Sequence, residues 1–218
     1  MQQRLFLACS LAGLPLASLA QTAPLAATPH FYVGLGVSAL SYAPASSYSS
    51  LRHFGPSLTL GTQFTPRWAL QVGATYSKRR DAASQSYAPS AGQLLTGYAY
   101  DNRLTTFTLP LLARYTLDSR SAHFHGDVLG GVTLLHTDLH ATSSSTAAGQ
   151  SPYLSDERLS VTRASLSLGL AARYSLLPRL DLLADGLANV TVTNSFYSFS
   201  DRFFFNLLVG ARYHFGQR

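Results

Sequence analysis

The chain has 218 residues, enough for one domain, and is 46% hydrophobic with only 12% charged residues, about half the charge an average soluble protein carries. Beyond residue 20 no stretch approaches the roughly 18 uninterrupted apolar residues of a transmembrane helix, so the apolar content is spread in alternation, which points to strands. The formal charge of +6 comes almost entirely from arginine; residues 1–20 have the apolar, small-residue-ended order expected of an export signal, so an anionic surface outside the inner membrane is the expected partner and nucleic acid is not.

Residues 1–20 read MQQRLFLACSLAGLPLASLA: one arginine, an apolar run, then small residues at Ser18 and Ala20. That order predicts a secretory signal peptide cleaved after Ala20. Cys9, the single cysteine, falls inside it, so the mature chain is expected to lack disulfides, cysteine metal ligands and a cysteine nucleophile. A Pro/Ala/Thr linker over residues 21–29 then leads into one barrel domain over residues 30–218.

Eight strands follow in chain order. The first, Phe31 to Tyr42, alternates Phe31, Val33, Leu35 and Val37 against Tyr32, Gly34, Gly36 and Ser38. A Ser/Tyr-rich loop, Ala43 to His53, separates it from the second, Phe54 to Thr65. Pro66-Arg67 turns tightly into the third, where Trp68, Leu70, Val72 and Tyr76 face one way and Gln71, Gly73 and Thr75 the other. Lys78 to Asp101 reads as a long polar loop. The fourth strand, Asn102 to Leu117, contains Pro110, which removes one ladder donor and predicts a bulge or kink. A short turn, Asp118 to Ser121, leads to the fifth, with Phe124, Val128, Val132 and Leu134 opposite His125, Asp127, Gly131 and Thr133. Asp138 to Asp156 is the longest Ser/Thr/Ala/Gly tract and reads as another loop. The sixth strand is Leu159 to Leu176; Pro178-Arg179 turns it into the seventh, Leu180 to Val190. Thr193 to Asp201 is the last loop.

The eighth strand, FFFNLLVGARYHF over Phe203 to Phe215, states the architecture most clearly. Odd positions form one apolar face, while Asn206, Gly210, Arg212 and His214 form the other. Its triplet Ala211-Arg212-Tyr213 recurs as Ala113-Arg114-Tyr115 and Ala172-Arg173-Tyr174. Strands that end alike, polar inward and aromatic outward, are what a membrane β-barrel needs where each strand leaves the hydrocarbon. Short links after strands two, four and six alternate with long ones after one, three, five and seven, as in bacterial outer-membrane barrels. A soluble lipocalin-like barrel would place its apolar face inward; here the charges lie opposite the continuous apolar face. The predicted fold is all-β: an eight-stranded antiparallel up-and-down transmembrane barrel preceded by a cleaved signal peptide.

With these features, and with LPLLARY at Leu109 to Tyr115, the chain resembles the small OmpA/OmpX-type outer-membrane barrels and the broader family of porin-like outer-membrane β-barrel domains. The resemblance covers nearly the whole mature chain as a pattern. It implies residence in the outer membrane of a Gram-negative bacterium, contact with outer-membrane lipids, and a barrel-assembly machinery that reads the final strand during insertion. Many members end on an aromatic residue; here Gly216-Gln217-Arg218 follow Phe215.

Candidate chemistry is sparse. His123 and His125 share a strand face and could in principle be joined by His136 or His140, but His125 and His136 have opposite parity, so no metal site is assigned. A lipid-modifying enzyme would need a Ser/His/acid group facing lipid; serine is so abundant that coincidence is expected, and no catalytic residue or cofactor is assigned. The Tyr/Ser/Gly-rich loops have the composition of adaptable recognition surfaces. With the N-terminus in the periplasm, Arg52, Lys78, Arg79, Arg80, Arg103, Arg158 and Arg202 fall at or above the extracellular rim, where lipopolysaccharide phosphates are candidate partners. Arg114, Arg173 and Arg212 point inward near the periplasmic end, where Asp127, Asp181 and Asp185 also begin, which predicts an ion network filling the lower lumen. The expected function is that of a non-enzymatic, monomeric outer-membrane barrel with a structural or adhesion role; the alternatives are a narrow diffusion channel and, third, a lipid-modifying enzyme.

Overall fold

A computed structural model describes residues 30–41, 52–87, 96–117, 123–146, 153–193 and 202–215. The expected signal peptide, the linker and the turn Asp118 to Ser121 lie outside the described residues. Eight strands, β1 (His30–Ser41), β2 (Arg52–Gln63), β3 (Trp68–Tyr87), β4 (Thr96–Thr116), β5 (Phe124–Thr146), β6 (Tyr153–Leu177), β7 (Leu180–Thr191) and β8 (Phe203–Phe215), pair antiparallel in sequence order. The ring closes between β1 and β8, from Phe31 opposite Phe215 to Ser41 opposite Phe205. Closure leaves no unpaired edge at membrane depth, where an unsatisfied backbone group would cost several kcal/mol.

The period-2 alternation sorts side chains into two environments. Leu35, Leu168 and Leu170 are 67%, 66% and 67% exposed, whereas Arg114, Arg173 and Arg212 are 2%, 5% and 2% exposed. Apolar outside and ionic inside is the reverse of a lipocalin, and suits a lipid surround. At the short-turn end an aromatic girdle marks the interface: Trp68 packs against Tyr115 with ring centroids 4.9 Å apart, and Tyr213 against Phe215 at 5.2 Å. The turn after β2 is tied by Thr65 Oγ1, which accepts from the Trp68 amide at 2.9 Å. The turn after β6 falls at Pro178-Arg179.

Three sequence expectations require correction. Lys78 to Asp101 is not a loop: β3 and β4 continue as a ladder from Lys78 opposite Thr105 to Tyr87 opposite Thr96. Asp138 to Asp156 is likewise not a loop, because β5 and β6 pair from Asp138 opposite Ser160 to Ser145 opposite Tyr153. Above the membrane both faces of such a hairpin meet water, so hydrophobic alternation disappears while backbone pairing persists. The links that remain, residues 88–95 and 147–152, lie outside the described residues. Third, Pro110, expected to give a bulge or kink, coincides with a break in the ladder but makes no bulge. The β3–β4 ladder is interrupted between the pairs Val72–Leu111 and Thr75–Thr108 and resumes in the same register, helped by Gly73, where a Cβ would sit 2.9 Å from the proline ring. The register shift lies instead between Ser175 and Leu177, where β6 meets β7.

Strand lengths are therefore unequal: β3 to β6 run 20, 21, 23 and 25 residues, the other four 12 or 13. A four-stranded wall stands above one side of the barrel. Pairing of β2 with β3 spans only Ser57–Gln63 with Ala69–Thr75, and β6 pairs with β7 only from Ser165 downward. Higher up, the outer edges of β3 and β6 have no ladder partner among the described residues.

Candidate functional site

The lumen is filled in layers, as expected for a barrel of eight strands, whose interior is just wide enough for side chains. In the layer nearest the short turns, β4, β5, β6, β7 and β8 deliver the three arginines and three aspartates to one place. Arg114 donates from Nη1 to Asp127 Oδ2 at 2.6 Å and from Nη2 to Asp185 Oδ2 at 2.7 Å. Arg173 donates from Nε to Asp127 Oδ2 at 2.6 Å and from Nη2 to its Oδ1 at 2.9 Å. Asp181 accepts from Arg212 Nη2 at 2.9 Å and from Ser175 Oγ at 3.0 Å, and His214 Nε2 lies 2.8 Å away. Three formal positive charges face three negative ones, which is how buried ions are tolerated.

Sequence reasoning did not include several members of this layer. Gln71 Oε1 accepts from Arg114 Nε at 3.1 Å and from the Tyr32 hydroxyl at 3.3 Å. The Arg212 guanidinium lies over the Tyr32 ring, 4.4 Å from its centroid, a cation–π contact. Thr116 Oγ1 accepts from Arg173 Nη2 at 2.9 Å. The inward parity of Tyr32, Gln71 and His214 was the available signal; what parity cannot give is which inward residues share a depth.

Above the ions comes a layer of hydroxyls and amides. Thr133 and Ser167 share a hydrogen bond at 2.6 Å, Ser167 donates to Asn189 Oδ1 at 2.7 Å, and Ser38 donates to Asn206 Oδ1 at 2.5 Å. Nearer the long hairpins an apolar cluster of Leu40, Leu135 and Phe204 closes the section, whereas Leu112, Leu129, Ala171 and Leu187 form a second cluster beside the ions, with Leu129 opposite Arg114 and Ala171 opposite Asp127. The interior is thus mixed rather than wholly polar, because the ionic groups alone do not fill its volume.

The seven rim cations divide. Lys78, Arg80, Arg103 and Arg158 lie on the outward, even or odd, parity of their strands, and the register sets Arg80 opposite Arg103, Arg103 opposite His140 and His140 opposite Arg158. Arg79 has the other parity and pairs with Asp81 at 2.9 Å. Arg52 begins β2, and Arg202, half-buried, stands just before β8. Asp101 Oδ2 accepts from Arg80 Nη2 at 2.9 Å and Arg103 Nη2 at 3.2 Å; the Arg80 hydrogen bond is the main cause holding the Asp101 carboxyl below its ordinary pKa, with the Arg80 and Arg103 charges adding to it. On the same outward face His136 Nδ1 lies 2.8 Å from Thr162 Oγ1 and its Nε2 3.3 Å from Asp138 Oδ2. The order hydroxyl, imidazole, carboxylate is that of a hydrolytic triad. Among the described residues no group of three or more His, Cys, Asp or Glu could hold a metal.

Several solved structures align with this ring of strands. A major outer membrane protein from Thermus thermophilus aligns with a TM-score of 0.50 at 17% identity, over 87% of this chain and 100% of that one, a likeness of fold. Ail, the attachment invasion locus protein of Yersinia pestis, gives 0.46 at 13% identity, over 86% and 97% of the two chains. Neisserial surface protein A gives 0.43 at 21% identity, over 85% and 97%. No curated protein matches the sequence. The model of the outer membrane protein beta-barrel domain family matches residues 6–218, nearly the entire chain, and the protein accordingly belongs to that family and resides in the outer membrane of a Gram-negative bacterium.

Proposed function

We propose that the protein is a non-enzymatic surface-interaction barrel whose lumen is closed and whose working part is the wall raised by β3 to β6. One observation carries this reading: the wall ends in two strand edges, on β3 above Ser77 and on β6 above Arg163, with no ladder partner among the described residues. A free edge supplies main-chain donors and acceptors to an extended segment of another molecule, while alternate side chains set its specificity. The charges along these edges, Lys78 to Asp81 and Asp156 to Arg158, keep them from pairing indiscriminately. A diffusion channel is disfavoured by the layered filling of the lumen.

The test replaces residues 80–103 with a two-residue Asn-Gly turn and residues 140–158 likewise, leaving the membrane-spanning ladder. Cells displaying the trimmed barrel should lose attachment to immobilised extracellular protein, while the purified protein should still show the heat-modifiable migration expected of a closed barrel, running faster unboiled than boiled on a detergent gel. Equal attachment by both forms, or a steady conductance from the intact one, would replace this reading with a structural or channel role.

The lipid-modifying reading has the Thr162, His136 and Asp138 arrangement in its favour. It is checked by mass analysis of lipid A from cells expressing the wild type and Thr162→Val. A mass difference between them would make the protein an enzyme; identical spectra leave the trio as a hydrogen-bonded surface group.

A further inference from the structure

We infer that the outward face of β3 to β6, just above the hydrocarbon boundary, is a binding site for a phosphate on a lipopolysaccharide head group of the outer leaflet. The inference rests on the outer-membrane placement and is independent of the edge-strand reading.

Depth is the first argument. Lys78 lies ten residues along β3 from Trp68 of the lower girdle. Ten residues at about 3.3 Å each, on a strand tilted by about 40°, rise about 25 Å, the height of the apolar band of such barrels. Directly below Lys78 and Thr105, Tyr76 faces Phe107 across the ladder, closing the apolar band with aromatics. The cations therefore emerge where the phosphates of the outer leaflet begin.

Arrangement is the second. Arg80, Arg103, His140 and Arg158 occupy one cross-strand row on four neighbouring strands, spaced by about 4.8 Å per strand. Like charges set directly opposite repel, and an anion is what relieves them. Asp101 does so for Arg80 and Arg103 from above, and Asp156 accepts from His140 at 2.8 Å. Lys78 and Arg158 pair with no carboxylate among the described residues. Both line a surface cavity of about 500 Å³, which Arg103, Thr105, His140 and Ser160 also line. Asp138 borders the same cavity and would repel an anion, but its Oδ2 faces His136. A phosphate can accept from Arg158 and Lys78 in charge-assisted hydrogen bonds, and from the two hydroxyls.

Asymmetry is the third. The outward positions of β7 and β8 hold Leu182, Ala184, Ala188, Val190, Leu207 and Val209, so these two strands present no cation on their described outward faces.

The experiment titrates bisphosphorylated lipid A into the purified full-length protein in detergent and follows complex formation by native mass spectrometry. The double variant Lys78→Ser with Arg158→Ser should bind about tenfold more weakly. Arg67→Ser with Arg179→Ser, which removes the same charge at the opposite end, should bind like the wild type. Dephosphorylated lipid A should bind the wild type as weakly as bisphosphorylated lipid A binds the first variant. Unchanged binding by the first variant, equal loss in both variants, or indifference to the phosphates would each overturn the site. Heat-modifiable migration verifies that each variant is folded, and Lys78→Gln with Arg158→Gln repeats the test should the serine pair fail it.

Discussion

Tyr32 and Gly61 stand opposite each other across the β1–β2 ladder, and the phenol ring covers the glycine so closely that a Cβ at position 61 would run into it. The missing side chain lets Tyr32 reach Gln71 and lie under Arg212. A glycine on β2 thus helps to hold charges on β4 and β8. Gly61→Ala should displace the ring and destabilise the barrel by about 1–3 kcal/mol, read as a lower urea midpoint for loss of heat-modifiable migration. An unchanged midpoint would mean that Tyr32 has another place to go.

Asp127 is the centre of the ionic layer, accepting from both Arg114 and Arg173, whereas Asp185 accepts from Arg114 alone. Asp127→Asn removes the carboxylate that two arginines share, leaving Arg173 only the more distant Asp181 at 3.8 Å, and should cost about 3–5 kcal/mol if the site stays dry. Asp185→Asn should cost less, because Arg114 keeps Asp127. The opposite order in urea unfolding would show that depth, rather than connectivity, decides the penalty.

The layered lumen predicts that purified protein in a planar bilayer gives no steady nanosiemens channel. Removing bulk at the top alone, with Phe204→Ala and Leu135→Ala, should not open it, since the hydroxyl and ionic layers remain beneath. Stable ohmic conductance from the wild type would mean that the side chains leave a continuous water path.

Strand number, order and facing were legible in the sequence wherever one face meets lipid, because the Trp68 to Tyr76 stretch and the Phe203 to Phe215 stretch cannot alternate in any other frame. The extensions of β3 to β6 were not legible. Above the rim, runs such as Ala82-Ala83-Ser84-Gln85 and Ser143-Ser144-Ser145 pair through their backbones with no side-chain signal to announce it. Inward parity and nearness to the short turns led to one lower-lumen network of Arg114, Arg173, Arg212, Asp127, Asp181 and Asp185, whereas its further members Tyr32, Gln71 and Thr116 were not read, because exact depth depends on the stagger between strands, which a single strand does not encode. The same stagger sets Arg80, Arg103, His140 and Arg158 in one row although they lie far apart in sequence.

Asp101 ties the extended hairpin of β3 and β4 by bridging Arg80 and Arg103. Its carboxyl is held below the ordinary range chiefly by the Arg80 hydrogen bond, then by the charges of Arg80 and Arg103. The folded hairpin therefore binds this proton more weakly than the unfolded chain does. The resulting stabilisation is complete above the unfolded pKa of about 3.9 and disappears as pH falls through the lower folded value. Asp81, Asp138 and Asp156 stand on the same wall, so the contribution of Asp101 is read as a difference between wild type and Asp101→Asn. Backbone order from nitrogen-15 relaxation at residues 83–87 and 96–100 should be higher in the wild type at pH 7 and should converge on that of the variant at low pH. A gap that persists once the carboxyl is protonated in both states would place the stabilisation in something other than this charge.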